Sequence, residues 1–241
     1  MSTTRREFLA AAAAMGAIQP AWLRSWPAAA APGSTLLFQG DSITDAGRNR
    51  ATTTANNTRA LGTGYPLLLT GLLRDQHPEL DLQIFNRGIS GNTVTDLAAR
   101  WDADTVALKP ATLSILIGVN DIWHTLGKTP GDEVVKTYEA GYGALLARTR
   151  AALPGVQIVV LEPFVLRTGA VTDTWFPEFD QIRAACHRVA DRTGARFVDL
   201  HDMFQKLTAK SSPAYWAADG VHPTLAGHAA IARHWMEKVR L

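Results

Sequence analysis

The sequence predicts an α/β protein: a three-layer sandwich with a five-stranded parallel sheet between two layers of helix. Two observations predict it. Short runs of β-branched and apolar residues recur along the chain, the composition of strands buried on both faces. Between them lie longer stretches with apolar residues at helical spacing. Strand alternating with helix implies right-handed crossovers and a parallel sheet covered on both sides.

The elements follow in order. The run Leu36-Leu37-Phe38 marks a first strand over Thr35–Gln39, and a helical pattern covers Gly64–Arg74. A second strand is expected at Leu82–Asn86, a helix at Val94–Leu108 and a third strand at Leu113–Ile117. A long helix, Asp132–Ala152, leads to a fourth strand at Val156–Leu161. The stripe Phe179-Ile182-Ala185-Cys186-Val189 places a helix over Pro177–Thr193, before a fifth strand at Arg196–Asp199. Helices at Asp202–Lys210 and Thr224–Val239 close the chain. Five strands in this rhythm suit a flavodoxin-like, doubly wound arrangement.

Length and composition agree with one domain. The chain has 241 residues, 46% hydrophobic and 19% charged, enough to bury a substantial core. No internal repeat is visible. The domain is expected over 31–241, because residues 1–30 read as an export signal. Thr4-Arg5-Arg6-Glu7-Phe8-Leu9 supplies a basic head, Leu9 to about Ile18 an apolar middle, and Ala28-Ala29-Ala30-Ala31 a small-residue end. The paired arginines resemble the twin-arginine type of signal, which places the product in the periplasm or outside the cell. The apolar stretch is shorter than the roughly 20 residues a membrane span requires. Cleavage is expected after Ala29 or Ala30.

Charge and cysteine content exclude several functions. The first 30 residues carry three arginines against one glutamate, and the whole chain is +2, so the remainder is neutral. No basic surplus remains to attract nucleic acid or an anionic membrane. Cys186 is the only cysteine. It reads as a buried small hydrophobe in a helical stripe and can form no internal disulfide. Neither Cys-x-x-Cys nor His-Glu-x-x-His occurs, so no zinc ligand set is visible. The expected chemistry needs no metal or organic cofactor.

Four polar clusters fall in loops at the carboxyl edge of the predicted sheet, where ligands of such folds bind. These are Gly40–Thr44, Asn86–Thr93, Gly118–Asp121 and Asp219–His222. Gly40 permits a sharp turn as the first strand ends. Ser42 can then present its hydroxyl at the start of the next segment, although Asp and Ser after a strand are also common helix caps. A serine hydroxyl is a poor nucleophile at neutral pH without a base and a group that orients the base. His222 supplies the base and Asp219 the orienting acid, with Pro223 fixing the backbone beside them. His77, His124, His187, His228 and His234 compete less well. His201, next to Asp202 after the fifth strand, is the second choice. Donors for an oxyanion are the Ser42 N–H, the Gly91 N–H and the Asn120 side-chain amide. Gly91 reads equally as a turn glycine and Asn120 as a turn residue. Substrate contacts are expected from residues flanking these blocks: Asp41, Ile43, Arg48, Asn92, Trp123, Tyr215 and Trp216. Aromatic faces could stack on sugar rings, although each of these aromatics suits the core or the rim better.

Gly-Asp-Ser, Ser-Gly-Asn-Thr, Gly-Val-Asn-Asp and Asp-Gly-Val-His-Pro, in this order, resemble the four blocks of the GDSL or SGNH hydrolase family. The family norm has leucine where this chain has Ile43, a volume-conserving change. The resemblance spans about Thr35 to Leu241 and implies the SGNH hydrolase fold. It implies Ser42 as nucleophile, Asp219 and His222 as the rest of a triad, and Ser42, Gly91 and Asn120 as oxyanion donors. Gly47-Arg48, Leu61-Gly62-Thr63-Gly64-Tyr65, Arg87–Thr93, Ala99-Arg100-Trp101 and Ile117–Trp123 resemble the bacterial xylan acetylesterase branch more narrowly. That branch implies a serine esterase acting on acetylated carbohydrate, xylo-oligosaccharide in particular, and a homo-oligomer. Two alternatives stand beside it. One is a lysophospholipase, thioesterase or aryl-esterase with the same triad. The other is a carbohydrate-binding module on an inactive scaffold. No long apolar lid separates the blocks, which argues against a lipase working at oil–water interfaces.

Overall fold

A computed structural model of the chain describes residues 31–239. The export signal expected over residues 1–30 lies outside the described residues, as do the last two positions of the domain expected over 31–241.

The five expected strands are β1 (Thr35–Gly40), β2 (Gln83–Asn86), β3 (Thr112–Leu116), β4 (Gln157–Leu161) and β5 (Arg196–Val198). All pair in parallel, in the order β2-β1-β3-β4-β5. β1 therefore lies between β2 and β3, at the point where the chain switches direction across the sheet. Register aligns the carboxyl ends of the central strands: Gly40 pairs with Leu116, and Leu116 with Leu161.

Ten helices accompany the strands among the described residues. They are α1 (Ser42–Asp45), α2 (Thr58–Leu61), α3 (Tyr65–Gln76), α4 (Val94–Asp104), α5 (Val119–Trp123), α6 (Gly131–Ala152), α7 (Glu178–Thr193), α8 (Leu200–Thr208), α9 (Pro213–Trp216) and α10 (Leu225–Lys238). The six long helical patterns are all present. The pattern read as one helix to Leu108 divides at Thr105 into α4 and a 3₁₀ turn, Val106–Leu108. Helices α1, α2, α5 and α9 have no counterpart among the expected elements. Each has only four or five residues, too few for an apolar period to show.

Helices α3 and α10 pack on each other along one face, with α8 against α10. On the other face α6 packs between α4 and α7. The strands are apolar on both sides because both sides are covered. Every residue of β3 is buried, and Trp101, Trp175, Trp235, Tyr65, Tyr138 and Tyr142 are the largest side chains fully enclosed. Burying an aliphatic or aromatic side chain of this kind stabilises the fold by roughly 2 kcal/mol. Two of the enclosed indoles find partners: Trp235 Nε1 donates to Ser114 Oγ at 3.0 Å, and Trp101 Nε1 to Thr149 Oγ1 at 2.9 Å. Cys186 is buried in this core on α7, where burial pushes its thiol up to about 12. No helix among the described residues is long and apolar enough to cross a membrane.

Candidate active site

The first loop beyond the sheet carries Ser42. Gly40 has a φ of 154°, and a Cβ there would lie 2.3 Å from the Leu116 carbonyl oxygen. Only glycine lets β1 turn this close to β3. Asp41 caps α1 by accepting the Ile43 N–H at 3.0 Å, so Ser42 becomes the first helical residue. Its hydroxyl stands at the helix start, half-buried.

The last loop carries the partners of Ser42. A bridge between Ala217 and Pro223 pinches the chain into a tight turn. Gly220, at a φ of 87°, packs against the carbonyl oxygens of Leu166 and Thr168, where a Cβ would come within 2.5 Å of both. One Asp219 oxygen accepts the N–H groups of Val221 and His222 at 2.9 and 2.7 Å. The other faces His222 Nδ1 at 2.6 Å. His222 Nε2 lies 2.9 Å from Ser42 Oγ. An Nδ1–H donated to Asp219 leaves Nε2 as an acceptor facing the hydroxyl. Partial burial works against the Asp219 charge. The hydrogen bonds from the His222 ring and from two backbone N–H groups outweigh it and hold the carboxyl below its ordinary value.

The other two blocks converge on the same edge. Gly91 takes a φ of 85° with open space around it, so its requirement is the left-handed backbone. Among the described residues, neither the Ser42 N–H nor the Gly91 N–H has a hydrogen-bond acceptor. Asn120 is buried at the start of α5, and its Nδ2 donates to the Asn92 carbonyl at 3.1 Å. An amide nitrogen has two hydrogens, so a second donor remains. Gly118 precedes it at a φ of 134°, against the Tyr138 ring and Pro163.

Several expected substrate contacts are corrected by burial. Asp41 is 1% exposed, Ile43 2% and Arg48 8%. Asp41 is committed to its cap, Ile43 to the core, and Arg48 Nε to the Gly88 carbonyl at 2.7 Å. Asn92 is committed too, its Oδ1 accepting from Arg100 Nε at 2.7 Å. Trp123 does stand at the site, its ring centroid 6.1 Å from that of His222. Tyr215 is 55% exposed and packs edge-on to Trp216 at 4.9 Å, on the short helix just before the Asp219 turn. His201, the alternative base, lines a groove of about 380 Å³ with Phe176, Gln205 and Pro213. Neither Ser42 nor His222 lines that groove. Burial, then the Arg183 charge, depresses the basicity of His201.

The residues that hold the loops together have no role in the chemistry expected from the sequence. Asp45 on α1 accepts from Ser90 N–H and Ser90 Oγ at 2.9 and 3.1 Å, from Arg48 N–H at 3.2 Å, and pairs with Arg50. Asn86 Nδ2 donates to the carbonyls of Thr44 and Leu61, at 2.6 and 2.9 Å. Arg100 joins Asn92 to the Arg87 carbonyl at 2.8 Å. Arg100 carries a sequence signal within Ala99-Arg100-Trp101, and Asn86 opens the polar cluster Asn86–Thr93. Two carboxyls sit beneath the loops, Asp41 buried and Asp121 half-buried. Burial pushes Asp41 up to about 7, with the Asp121 charge adding to it and the Ile43 N–H opposing. Burial pushes Asp121 up to about 7 as well, against the Val94 N–H that it accepts at 3.2 Å. Among the described residues no group of three or more His, Cys, Asp or Glu is arranged to hold a metal ion.

This arrangement of loops recurs in known proteins. The model of the GDSL-like lipase/acylhydrolase family matches residues 38–230. The chain belongs to that family. It is therefore a GDSL-type carboxylic ester hydrolase. It is 39% identical over 210 residues to an acetylxylan esterase of Geobacillus stearothermophilus, covering 86% of this chain and 94% of that one. A crystal structure of the Geobacillus acetylxylan esterase superposes with a TM-score of 0.78 at 37% identity, covering 88% and 96%. Mutants of that enzyme described as catalytic change a histidine or a serine to alanine. A GDSL-like lipase structure from Parabacteroides merdae superposes with a TM-score of 0.83 at 42% identity, covering 87% of this chain and 97% of that one.

Proposed function

We propose that this GDSL-family chain is a serine esterase that removes acetyl groups from acetylated carbohydrates, xylo-oligosaccharides in particular, through a covalent acyl-enzyme. The observation that carries it is the hydrogen-bonded series Ser42 Oγ, His222 and Asp219, with contacts of 2.9 and 2.6 Å. The likeness to an acetylxylan esterase supports the substrate class.

In this reading Ser42 Oγ attacks the acetyl carbonyl while its proton passes to His222 Nε2. Asp219 orients the ring and stabilises the imidazolium. The carbonyl oxygen becomes an oxyanion received by the Ser42 N–H, the Gly91 N–H and the free Asn120 amide hydrogen. Such donors are worth about 3 kcal/mol each to the transition state. Collapse breaks the bond to the sugar oxygen, and His222 returns its proton to that leaving alkoxide. Water, deprotonated by the same imidazole, then attacks the acetyl–Ser42 ester, and acetate leaves. Trp123, beside His222, and the exposed Tyr215 flank the sugar in this arrangement. Export past the inner membrane, supported by Arg5 and Arg6, gives such an enzyme access to extracellular polysaccharide fragments.

The test is acetate release from acetylated xylo-oligosaccharides, pectin fragments and chitin fragments, alongside acyl esters of rising chain length. The proposal expects fastest release from xylo-oligosaccharides and a steep loss beyond two to four carbons, roughly. Equal or faster hydrolysis of long acyl chains overturns the acetyl specificity.

A further inference from the structure

The nucleophile and its base come from loops 180 residues apart, yet must be held to hydrogen-bonding distance. A buried path through Thr44, Tyr65 and His228 connects the two loops behind the triad. It starts at Thr44 on α1, two residues after Ser42, whose Oγ1 lies 3.0 Å from the Tyr65 hydroxyl. Tyr65 opens α3, and its backbone N–H donates to His228 Nδ1 at 3.1 Å. The Tyr65 and His228 rings stack with centroids 6.5 Å apart and planes 25° from parallel. His228 lies in the first turns of α10, whose cap Thr224 follows His222 by two residues.

The fit along this path is close. Gly64 has room for nothing larger: a Cβ would lie 2.9 Å from His228 Cε1 and 2.6 Å from the Cβ of Ala46, the residue that ends α1. His228 is 9% exposed. A backbone N–H pointed at Nδ1 requires that nitrogen to be an acceptor, so the ring proton sits on Nε2. Burial, with the nearby His222 adding to it, pushes the His228 pKa down to about 4, so the contact persists at neutral pH. Helices α3 and α10 pack directly against each other, and the contact lies at the amino-terminal end of both.

We propose that His228 is a positioning residue for the esterase reaction: through Tyr65 it couples the helix start that bears Ser42 to the loop that bears His222, and sets their separation for proton transfer. The inference rests on the reading of Ser42 and His222 as nucleophile and base. His228 takes no proton from substrate and acts only through the spacing of the other two.

The test compares His228→Leu, which keeps bulk but removes the acceptor, with His228→Asn, whose Oδ1 reproduces it. Each is measured with 4-nitrophenyl acetate, with a fluorophosphonate that labels activated serine, and by thermal unfolding, with Ser42→Ala as a parallel control. H228L should lose roughly 10- to 100-fold in kcat and in labelling rate with KM within about twofold, because small displacements of reacting groups cost rate rather than binding. H228N should recover to within about threefold of the parent. Wild-type kcat in H228L, a loss confined to KM, or H228N as slow as H228L each overturns the proposal. If H228L does not fold, Tyr65→Phe removes the Thr44 contact without a cavity. A labelling rate about fivefold lower then supports the coupling, and an unchanged rate overturns it. Full activity in Ser42→Ala contradicts the triad reading itself and is distinguishable from failure of the coupling.

Discussion

Asp45 accepts both the N–H and the hydroxyl of Ser90 on a single carboxylate oxygen, at 2.9 and 3.1 Å. It sits on the helix that begins with Ser42, and Ser90 precedes Gly91. One buried carboxylate thus ties the candidate nucleophile to the candidate oxyanion loop. Burial works against its charge, but the Arg50 guanidinium and the Ser90 donors hold its pKa below the ordinary value. Asp45→Asn should lower stability at pH 7 by about 1–3 kcal/mol, since an amide cannot accept all these donors. A depressed carboxyl contributes stability above its unfolded pKa and loses it as pH falls through the folded value. The gap between variant and parent in thermal unfolding should therefore shrink below pH 4. A gap that is constant with pH contradicts the charge-based account.

The orienting role of Asp219 is tested by Asp219→Asn, which preserves shape but allows the wrong His222 tautomer. A loss of about 10³- to 10⁴-fold in kcat is expected, with the fold intact. A loss under tenfold would remove Asp219 from the triad.

Replacing Asn120 by Ala removes one proposed oxyanion donor. The expected loss is about 10²- to 10³-fold in kcat with little change in KM, because the contact forms with the developing charge. An effect on KM alone would place Asn120 in ground-state binding.

Asp41 carries the opposite sign to Asp45. Its pKa is raised from 3.8 to about 7 by burial. The folded state therefore favours the protonated form, and the associated stability is lost as pH rises from 3.8 through about 7. Asp41→Asn keeps the cap oxygen for the Ile43 N–H and removes the titration. It should be more stable than the parent at pH 8, by on the order of 2 kcal/mol, and nearly equal at pH 4. Denaturant melts at the two pH values check this, and equal differences at both contradict it.

Much of the fold was legible because it rests on local pattern. The runs at Leu36–Phe38 and Val159–Leu161 mark strands covered on both faces, and each strand boundary falls within one residue of its expected place. Strand order was legible only through the flavodoxin-like architecture, whose order is the observed β2-β1-β3-β4-β5, because the pairing itself joins distant segments such as Leu37 with Leu113. The meeting of Ser42, His222 and Asp219 was legible because each lies in a short block at a strand end or turn. Asp41, Ile43 and Arg48 were misread because adjacency in sequence to Ser42 says nothing about which way a side chain points. Asp41 and Ile43 turn inward on either side of a half-buried Ser42, and Arg48, beyond α1, is buried as well. The contacts of Asp45, Asn86 and His228 were not legible for a related reason. Their partners lie tens to over a hundred residues away, and no spacing rule links His228 to Tyr65.

The most direct measurement is the stoichiometry and position of covalent labelling by a fluorophosphonate, read by peptide mass spectrometry on the full chain. One label per chain on Ser42 is predicted, absent in Ser42→Ala and slowed by orders of magnitude in His222→Ala. A label on any other residue, or rapid labelling of Ser42 without His222, would contradict the account.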